Sequence, residues 1–274
     1  MKSFQKIIVM SDIHLTSGGR KIIGLDPVKK LESALKHICD THPDSCHLVL
    51  TGDLAHYGTL AEYTILKDML FNIDIPVTFM MGNHDTRENF CKVFPFVKLD
   101  EFGFLQSALH FQEFVLLCLD TLNFDHSNDT RHQGFLCERR LSWLEKQLKV
   151  AKGKKVILFM HHPPCSVGFK AMDKIRLNNA DEFYKILDKY KNVIHIIAGH
   201  IHRTISGNNR GYSFSIFKST CHQMPMMFES ESVKLSTVEP SSYGILCLSD
   251  NGVIVHSEDY ELLENDKKIF EKYN

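Results

Sequence analysis

The chain has 274 residues, 43% of them apolar, and a formal net charge of −1. That length supports a sizeable buried core, while the balanced charge and the lack of a long Lys/Arg block argue against a partner held through nucleic-acid phosphates. No apolar run approaches the roughly 20 residues that cross a bilayer, and the opening "MKSFQKIIVMSD" has too short an apolar stretch, and no small-residue cleavage site, for a secretory leader.

"QKIIVM" reads as a first strand leading to Asp12. In "PVKKLESALKHICD", Leu31, Ala34, Leu35 and Ile38 recur at helical spacing on one face. "CHLVLTGD" predicts a strand, "LAEYTILKDML" a helix, and "PVTFMMGN" a strand with Pro76 at its start, where a missing N–H does least harm. "LHFQEFVLLCLD" is β-rich, "CERRLSWLEKQLKVA" is an amphipathic helix with Trp143, Leu141, Leu144 and Leu148 as core, and "KKVILFMHH" is a strand. "NADEFYKILDKY" predicts a helix capped near Asn179 or Asp181, followed by the strand "NVIHIIAGHIH". Beyond Thr204 the helical period disappears. "TISGNNRGYSFSIFKS" and "SYGILCLSDNGVIVHSEDYEL" predict β-hairpins, the second turning at Asp250-Asn251-Gly252. Residues 220–240 fit neither period and predict an excursion that covers the site or meets a second subunit, with Met224, Met226 and Met227 as packing. "ENDKKIFEKYN" predicts a solvated helix or tail. The expected architecture is one α/β domain, two sheets packed face to face with helices outside. Residues 1–204 form its core, and residues 205–274 are a β-rich C-terminal segment that completes the sandwich and supplies a cap or oligomer contact.

The eight cysteines are scattered, without a C-x-x-C pair, and several sit in apolar runs. This predicts buried thiols in a reducing compartment, hence a cytoplasmic protein. Sixteen histidines are many for this length and ask for metal or acid–base chemistry. Five predicted strands end in donor side chains: Asp12-Ile13-His14, Gly52-Asp53, Gly82-Asn83-His84-Asp85, His161-His162-Pro163-Pro164 and Gly199-His200-Ile201-His202. Ligands collect at the carboxyl ends of strands in α/β sheets. Charged and imidazole groups converging there need a cation between them. In extended chain, residues i and i+2 point the same way, so Asp12 with His14 and His200 with His202 are expected to act as pairs. Carboxylate, imidazole and amide donors without thiolate suit Mn, Fe, Zn, Co or Ni. Seven candidate ligands suit two ions sharing a bridging carboxylate.

In this order and spacing, "DIH", "GD", "GNHD", "HH" before proline, and "GHIH" resemble the five blocks of the calcineurin-like metallophosphoesterases, across residues 12–202. "SDIHL", "GNHDTRENF", "CLDT" with "GFLCERRLSWLEKQL", "MHHPP" and "GHIHRTISG" are most similar to the class III cyclic-nucleotide and glycerophosphodiester phosphodiesterases. The resemblance implies the αββα fold of that superfamily. It assigns one metal to Asp12, His14, Asp53 and His202, and the other to Asp53, Asn83, His161 and His200. It makes His162 structural or supporting, and a homodimer or higher oligomer plausible.

Two divalent ions, two carboxylates and a bridging hydroxide leave a charge of +1, which complements a phosphodiester. The expected reaction is attack by that hydroxide on a small diester, 3′,5′-cyclic AMP first and glycerophosphodiesters second. His84 is expected to protonate the leaving alkoxide, with Asp85 fixing its ring and Gly82 providing the turn. His56, Arg87 and His222 are candidate substrate contacts, as are Arg20, Lys21 and His132, each weighed against a solvated loop role. His37, His42, His47, His110, His126, His195 and His256 read as structural or surface residues. A nuclease of the same superfamily is disfavoured by the near-neutral charge, and a non-catalytic metal-binding scaffold by the retention of every ligand.

Overall fold

The computed structural model describes residues 4–123 and 130–261. His126 and the predicted tail "ENDKKIFEKYN" lie outside the described residues. The strands are β1 (Gln5–Met10), β2 (Ser45–Leu50), β3 (Val77–Phe79), β4 (Ser107–His110), β5 (Phe114–Cys118), β6 (Lys155–Phe159), β7 (Val193–Ala198), β8 (Ile205–Asn209), β9 (Tyr212–Ile216), β10 (Tyr243–Ser249) and β11 (Gly252–Glu258). The helices are α1 (Pro27–Thr41), α2 (Leu60–Leu70), α3 (Arg87–Val93), α4 (Glu138–Val150) and α5 (Ala180–Leu187), with a 3-10 turn at Met172–Lys174.

One sheet has the order β11-β10-β1-β2-β3 and the other β4-β5-β6-β7-β9-β8. Strand alternation divides the apolar residues into three layers. Ile7, Val9 and Val49 of the first sheet meet Leu116, Ile157 and Ile197 of the second between the sheets. Ile8, Met10, Leu48 and Leu50 turn the other way, onto Leu31, Leu35, Tyr63, Leu66 and Phe90 of α1, α2 and α3. Val156 and Leu158 face Leu144 and Leu148 of α4 and Phe183 and Leu187 of α5. The central strands are buried on both faces, which is why they read as unbroken apolar runs.

Local chemistry sets the helix starts. Asp26 accepts from the Val28 and Lys29 amides ahead of α1, with Pro27 in the first turn. Thr59 and Glu62 form a capping box on α2. Asn179 does occupy the N-cap position of α5, but its amide bonds both the N–H and the carbonyl of Leu136 instead of capping. α3 is too short for a periodic apolar stripe, with Phe90 its buried residue, and periodicity alone does not announce it. The strand read over "PVTFMMGN" is regular only over Val77–Phe79.

The two C-terminal hairpins part company. β8–β9 extends the second sheet beside β7, whereas β10–β11 enters the first beside β1. β1, β2 and β3 run parallel, as do β6 and β7. The chain therefore leaves all five at the same edge of the sandwich. Among the described residues no helix is long and apolar enough to cross a membrane, and all eight cysteines are free.

Candidate functional site

Beyond those strand ends the backbone enters the left-handed region at five donor residues: Asp12 (φ 53°), His14 (φ 50°), Asp53 (φ 50°), His200 (φ 70°) and His202 (φ 54°). Such conformations cost on the order of 1–3 kcal/mol each and persist where the surroundings enforce them. They also correct the expectation of strand alternation for the pairs Asp12/His14 and His200/His202. β1 ends at Met10 and β7 at Ala198, and it is the left-handed residues flanking buried Ile13 and Ile201 that bring the paired side chains together. The β1 and β2 loops are laced by backbone bonds, Asp12 N to Gly52 O at 3.1 Å and His14 N to Asp53 O at 2.8 Å.

The motif glycines are required by space. A Cβ on Gly52 would lie 2.6 Å from Gly82 N and 2.7 Å from His161 Nδ1. One on Gly82 would strike Asp53 Oδ1 and approach His161 Cε1 to 2.7 Å. Gly82 does open the turn expected from sequence, closed by Asp85 N to Gly82 O at 3.2 Å, but its φ is not positive, so close approach and not the turn is what demands glycine there.

Asp12, His14, Asp53 and His202 present donor atoms within 4.8 Å of one another. His14 Nε2 lies 3.1 Å from His202 Nε2 and 3.5 Å from Asp53 Oδ2, and His202 Nε2 lies 3.3 Å from Asp12 Oδ1. On the other side, His161 Nε2 is 3.4 Å from Asp53 Oδ2 and 3.3 Å from Asn83 Oδ1. Donors on one ion at about 2.0–2.2 Å stand roughly 3.0–3.5 Å apart, so these spacings fit metal binding. Asp53 Oδ2 faces one histidine of each group, while Asp53 Oδ1 accepts from the His84 amide at 2.8 Å. His200 Nε2 is buried without a hydrogen-bond partner, and its ring packs 5.2 Å from that of His161.

Backbone carbonyls set the histidine tautomers. His161 Nδ1 meets Thr51 O at 2.9 Å and His202 Nδ1 meets His222 O at 2.8 Å, so each Nδ1 carries a proton and each Nε2 lone pair is free for a ligand. Without a metal, the acids draw protons in. Burial pulls His161 down, but Asp53 and Asp12 outweigh it and hold its pKa at about 9. Asp12 likewise raises His202 against burial. Burial and the neighbouring His161 push His200 down to about 3. Asp53 is held well below the carboxylate range, burial being outweighed by His161 and His84.

His84 donates from Nδ1 to the His56 carbonyl at 2.9 Å and stacks on the His56 ring. Asp85 does not fix that ring, contrary to expectation. Its carboxylate accepts from Gly82 N at 2.9 Å, Leu54 N and Ala55 N at 3.1 Å, and Tyr63 Oη at 2.9 Å. Asp85 thus ties the Asp53 and Asn83 loops together; burial and the Asp53 charge push its pKa up to about 6. Arg87 is a second correction. Its guanidinium pairs with Asp120 at 2.5 and 2.6 Å and bonds Leu122 O, away from the cleft.

His56 and His222 do line the cleft, as does His132, whose Nδ1 lies 2.9 Å from Asn83 Nδ2 and thereby orients Asn83 Oδ1 toward His161. His162 Nδ1 bonds Thr121 Oγ1 at 2.7 Å. Sequence reasoning missed Ser11, whose hydroxyl donates to Asp12 Oδ2 at 2.5 Å, and Ser219, which bonds Asp12 O; neither belongs to a donor motif. The cleft holds about 330 Å³. Its floor includes His14, Asp53, Asn83, His200 and His202, and its walls include Ile22, Met172, Ile175, Met224, Val233 and Leu235, with Lys234 and Ser236.

The family model described as calcineurin-like phosphoesterase matches residues 5–204. A Rhodopseudomonas palustris protein named a probable cyclic nucleotide phosphodiesterase is 38% identical over 252 residues, 92% of this chain and 91% of its own. A probable glycerophosphodiester phosphodiesterase of Arcobacter nitrofigilis is 29% identical, with 86% of each chain covered. Among solved structures, a dimetal phosphatase from Danio rerio superposes with a TM-score of 0.66 at 14% identity, over 92% of this chain and 98% of the other.

Proposed function

Since the chain belongs to the calcineurin-like phosphoesterase family, we propose that it hydrolyses small phosphodiesters, 3′,5′-cyclic nucleotides such as cyclic AMP first among them, with two metal ions at the strand edge. The observation that carries this reading is Asp53 Oδ2, 3.5 Å from His14 Nε2 and 3.4 Å from His161 Nε2, one oxygen shared between two donor groups. Asp12, His14, Asp53 and His202 would hold one ion, and Asp53, Asn83, His161 and His200 the other. The donors are oxygen and nitrogen only, which suits Mn, Fe, Zn or Co. When bound, such ions supply Lewis acidity and make a water acidic near neutral pH.

The chain's own groups do the rest. Asn83 adds a ligand without adding negative charge. His84, with Nδ1 bonded to the His56 carbonyl, keeps Nε2 for delivering a proton to the leaving oxygen. His56 and His222 line the same cleft and contact the substrate. Glycerophosphodiesters are the second substrate class, favoured by the name of the Arcobacter relative.

Free thiols at all eight cysteines support a cytoplasmic location. A homodimer would use the exposed Met226, Met227 and Phe228 of the 220–240 excursion. The functional test is a panel with added Mn²⁺: cyclic AMP, cyclic GMP, 2′,3′-cyclic nucleotides, glycerophosphodiesters, single-stranded DNA and a phosphomonoester. Turnover led by the 3′,5′-cyclic nucleotides supports the proposal, and turnover led by the monoester or by DNA overturns it.

A further inference from the structure

The metal ligands occupy only the floor of the cleft. Its walls come from three separate segments: Ile22, then Met172 and Ile175, then Met224, Val233 and Leu235 of the 220–240 excursion. We propose that these apolar walls form a subsite for the base of a cyclic nucleotide, with Lys234 donating to the edge of that base. This inference rests on the phosphodiesterase reading and gives its substrate class a set of residues.

The chemistry of the walls discriminates between the two diester classes. A glycerol arm has almost no apolar surface to set against these side chains, and of this wall only Lys234 and Ser236 offer its hydroxyls a side-chain partner. A heteroaromatic base instead presents two apolar faces, confines its polar atoms to the edge, and packs favourably against the sulfurs of Met172 and Met224. Lys234 is the one lysine or arginine among the described residues lining the cleft, and its ammonium has no hydrogen-bond or ion-pair partner there. An ammonium offers three donors and no acceptor, which suits the acceptor nitrogens of a purine edge.

The excursion is held in place before any ligand arrives. Gln223 and Thr237 exchange backbone bonds of 3.0 and 2.8 Å. Arg203 reaches Met224 O at 2.9 Å and Glu239 at 2.6 Å. Glu231 pairs with Lys170 at 2.5 Å and also with Lys174, and Lys170 N donates to Phe228 O at 2.8 Å. These contacts join the excursion to the segment carrying Met172 and Ile175. A wall built this way loses little freedom on binding.

The test uses the full chain loaded with Mn²⁺, comparing cyclic AMP with glycerophosphoethanolamine in wild type, Ile175→Ala/Leu235→Ala and Lys234→Met. Ile175→Ala and Leu235→Ala each remove three carbons from the wall, and even one missing methylene in an apolar pocket is worth about tenfold or more in discrimination. The double variant is therefore expected to raise KM for cyclic AMP about tenfold with little change in kcat, and to lower the cyclic AMP to glycerophosphoethanolamine ratio of kcat/KM about tenfold. Lys234→Met should move the same ratio in the same direction. If the double variant fails to load metal, Leu235→Ala alone is read the same way. Equal losses on both substrates, or a wild type that takes only the glycerophosphodiester, overturn the base subsite while leaving a phosphodiesterase. Binding of a fluorescent cyclic AMP analogue separates the two readings when no diester is hydrolysed. Binding weakened about tenfold by the double variant keeps the subsite and sinks the reaction, and absence of binding sinks the subsite.

Discussion

Asp85→Asn probes how the centre is assembled. The Asp85 carboxylate is 6% exposed and accepts from the Gly82, Leu54 and Ala55 amides and the Tyr63 hydroxyl. Asparagine keeps one acceptor oxygen but turns an NH₂ toward backbone amides that can only donate. The loss of a charge-assisted hydrogen bond, together with a buried N–H left unpaired, costs about 3 kcal/mol. At about 2–4 °C per kcal/mol for a domain of this size, Tm should fall by about 6–12 °C in a thermal melt. Because the carboxylate joins the Asp53 loop to the Asn83 loop, Mn²⁺ affinity measured by calorimetry should fall about 10- to 100-fold. Wild-type Tm and wild-type metal affinity, combined with a shifted acidic limb in the pH–rate profile, would refute this and restore Asp85 as a partner of the His84 ring.

His84→Ala should retain its metals by elemental analysis yet lose about 10²- to 10⁴-fold in kcat, most for diesters with poor leaving groups; equal loss for good and poor leaving groups would remove His84 from the acid role. Arg87→Ala leaves buried Asp120 short of its bidentate partner and should cost about 3 kcal/mol or more, lowering Tm with no change in KM for the diester. A raised KM at unchanged Tm would return Arg87 to the substrate. Metal loading should release protons near pH 7.5. His161, raised to about 9, is protonated there in the metal-free protein and must be neutral to bind a metal. Calorimetric heats should therefore vary with buffer ionisation enthalpy, and heats independent of buffer would contradict the assignment. The same elevation makes His161's contribution to metal-free stability full below about pH 6.5 and lost as pH rises through about 9.

The metal-ligand candidates were legible because the side chains that define the motifs are themselves the candidate donors. Asp12, His14, Asp53, Asn83, His161, His200 and His202 do converge, and unbroken apolar runs announced the strands that carry them. The route by which they converge was not legible. Strand alternation accounts for the core residues Ile7 to Met10, but past Met10 and Ala198 the backbone turns left-handed, a choice that non-glycine residues do not advertise. The groups that fix His84, His161 and His202 are the carbonyls of His56, Thr51 and His222, and every residue type has a carbonyl. Adjacency misled at Asp85, whose carboxylate joins the loops while the neighbouring His84 turns to His56. Charge misled at Arg87, whose partner Asp120 lies 33 positions along the chain. The excursion at 220–240 has no periodicity because it forms no helix or strand: His222, Met224 and residues 233–236 line the cleft, while Met226, Met227 and Phe228 are exposed.

If Asp53 joins two ions into one centre, low-temperature electron paramagnetic resonance of the Mn²⁺-loaded protein should show the multiline spectrum of an exchange-coupled pair at two equivalents of Mn²⁺ per chain, and Asp53→Ala should lose the coupling. Saturation at one equivalent, with the simple six-line signal of an isolated ion, would contradict it.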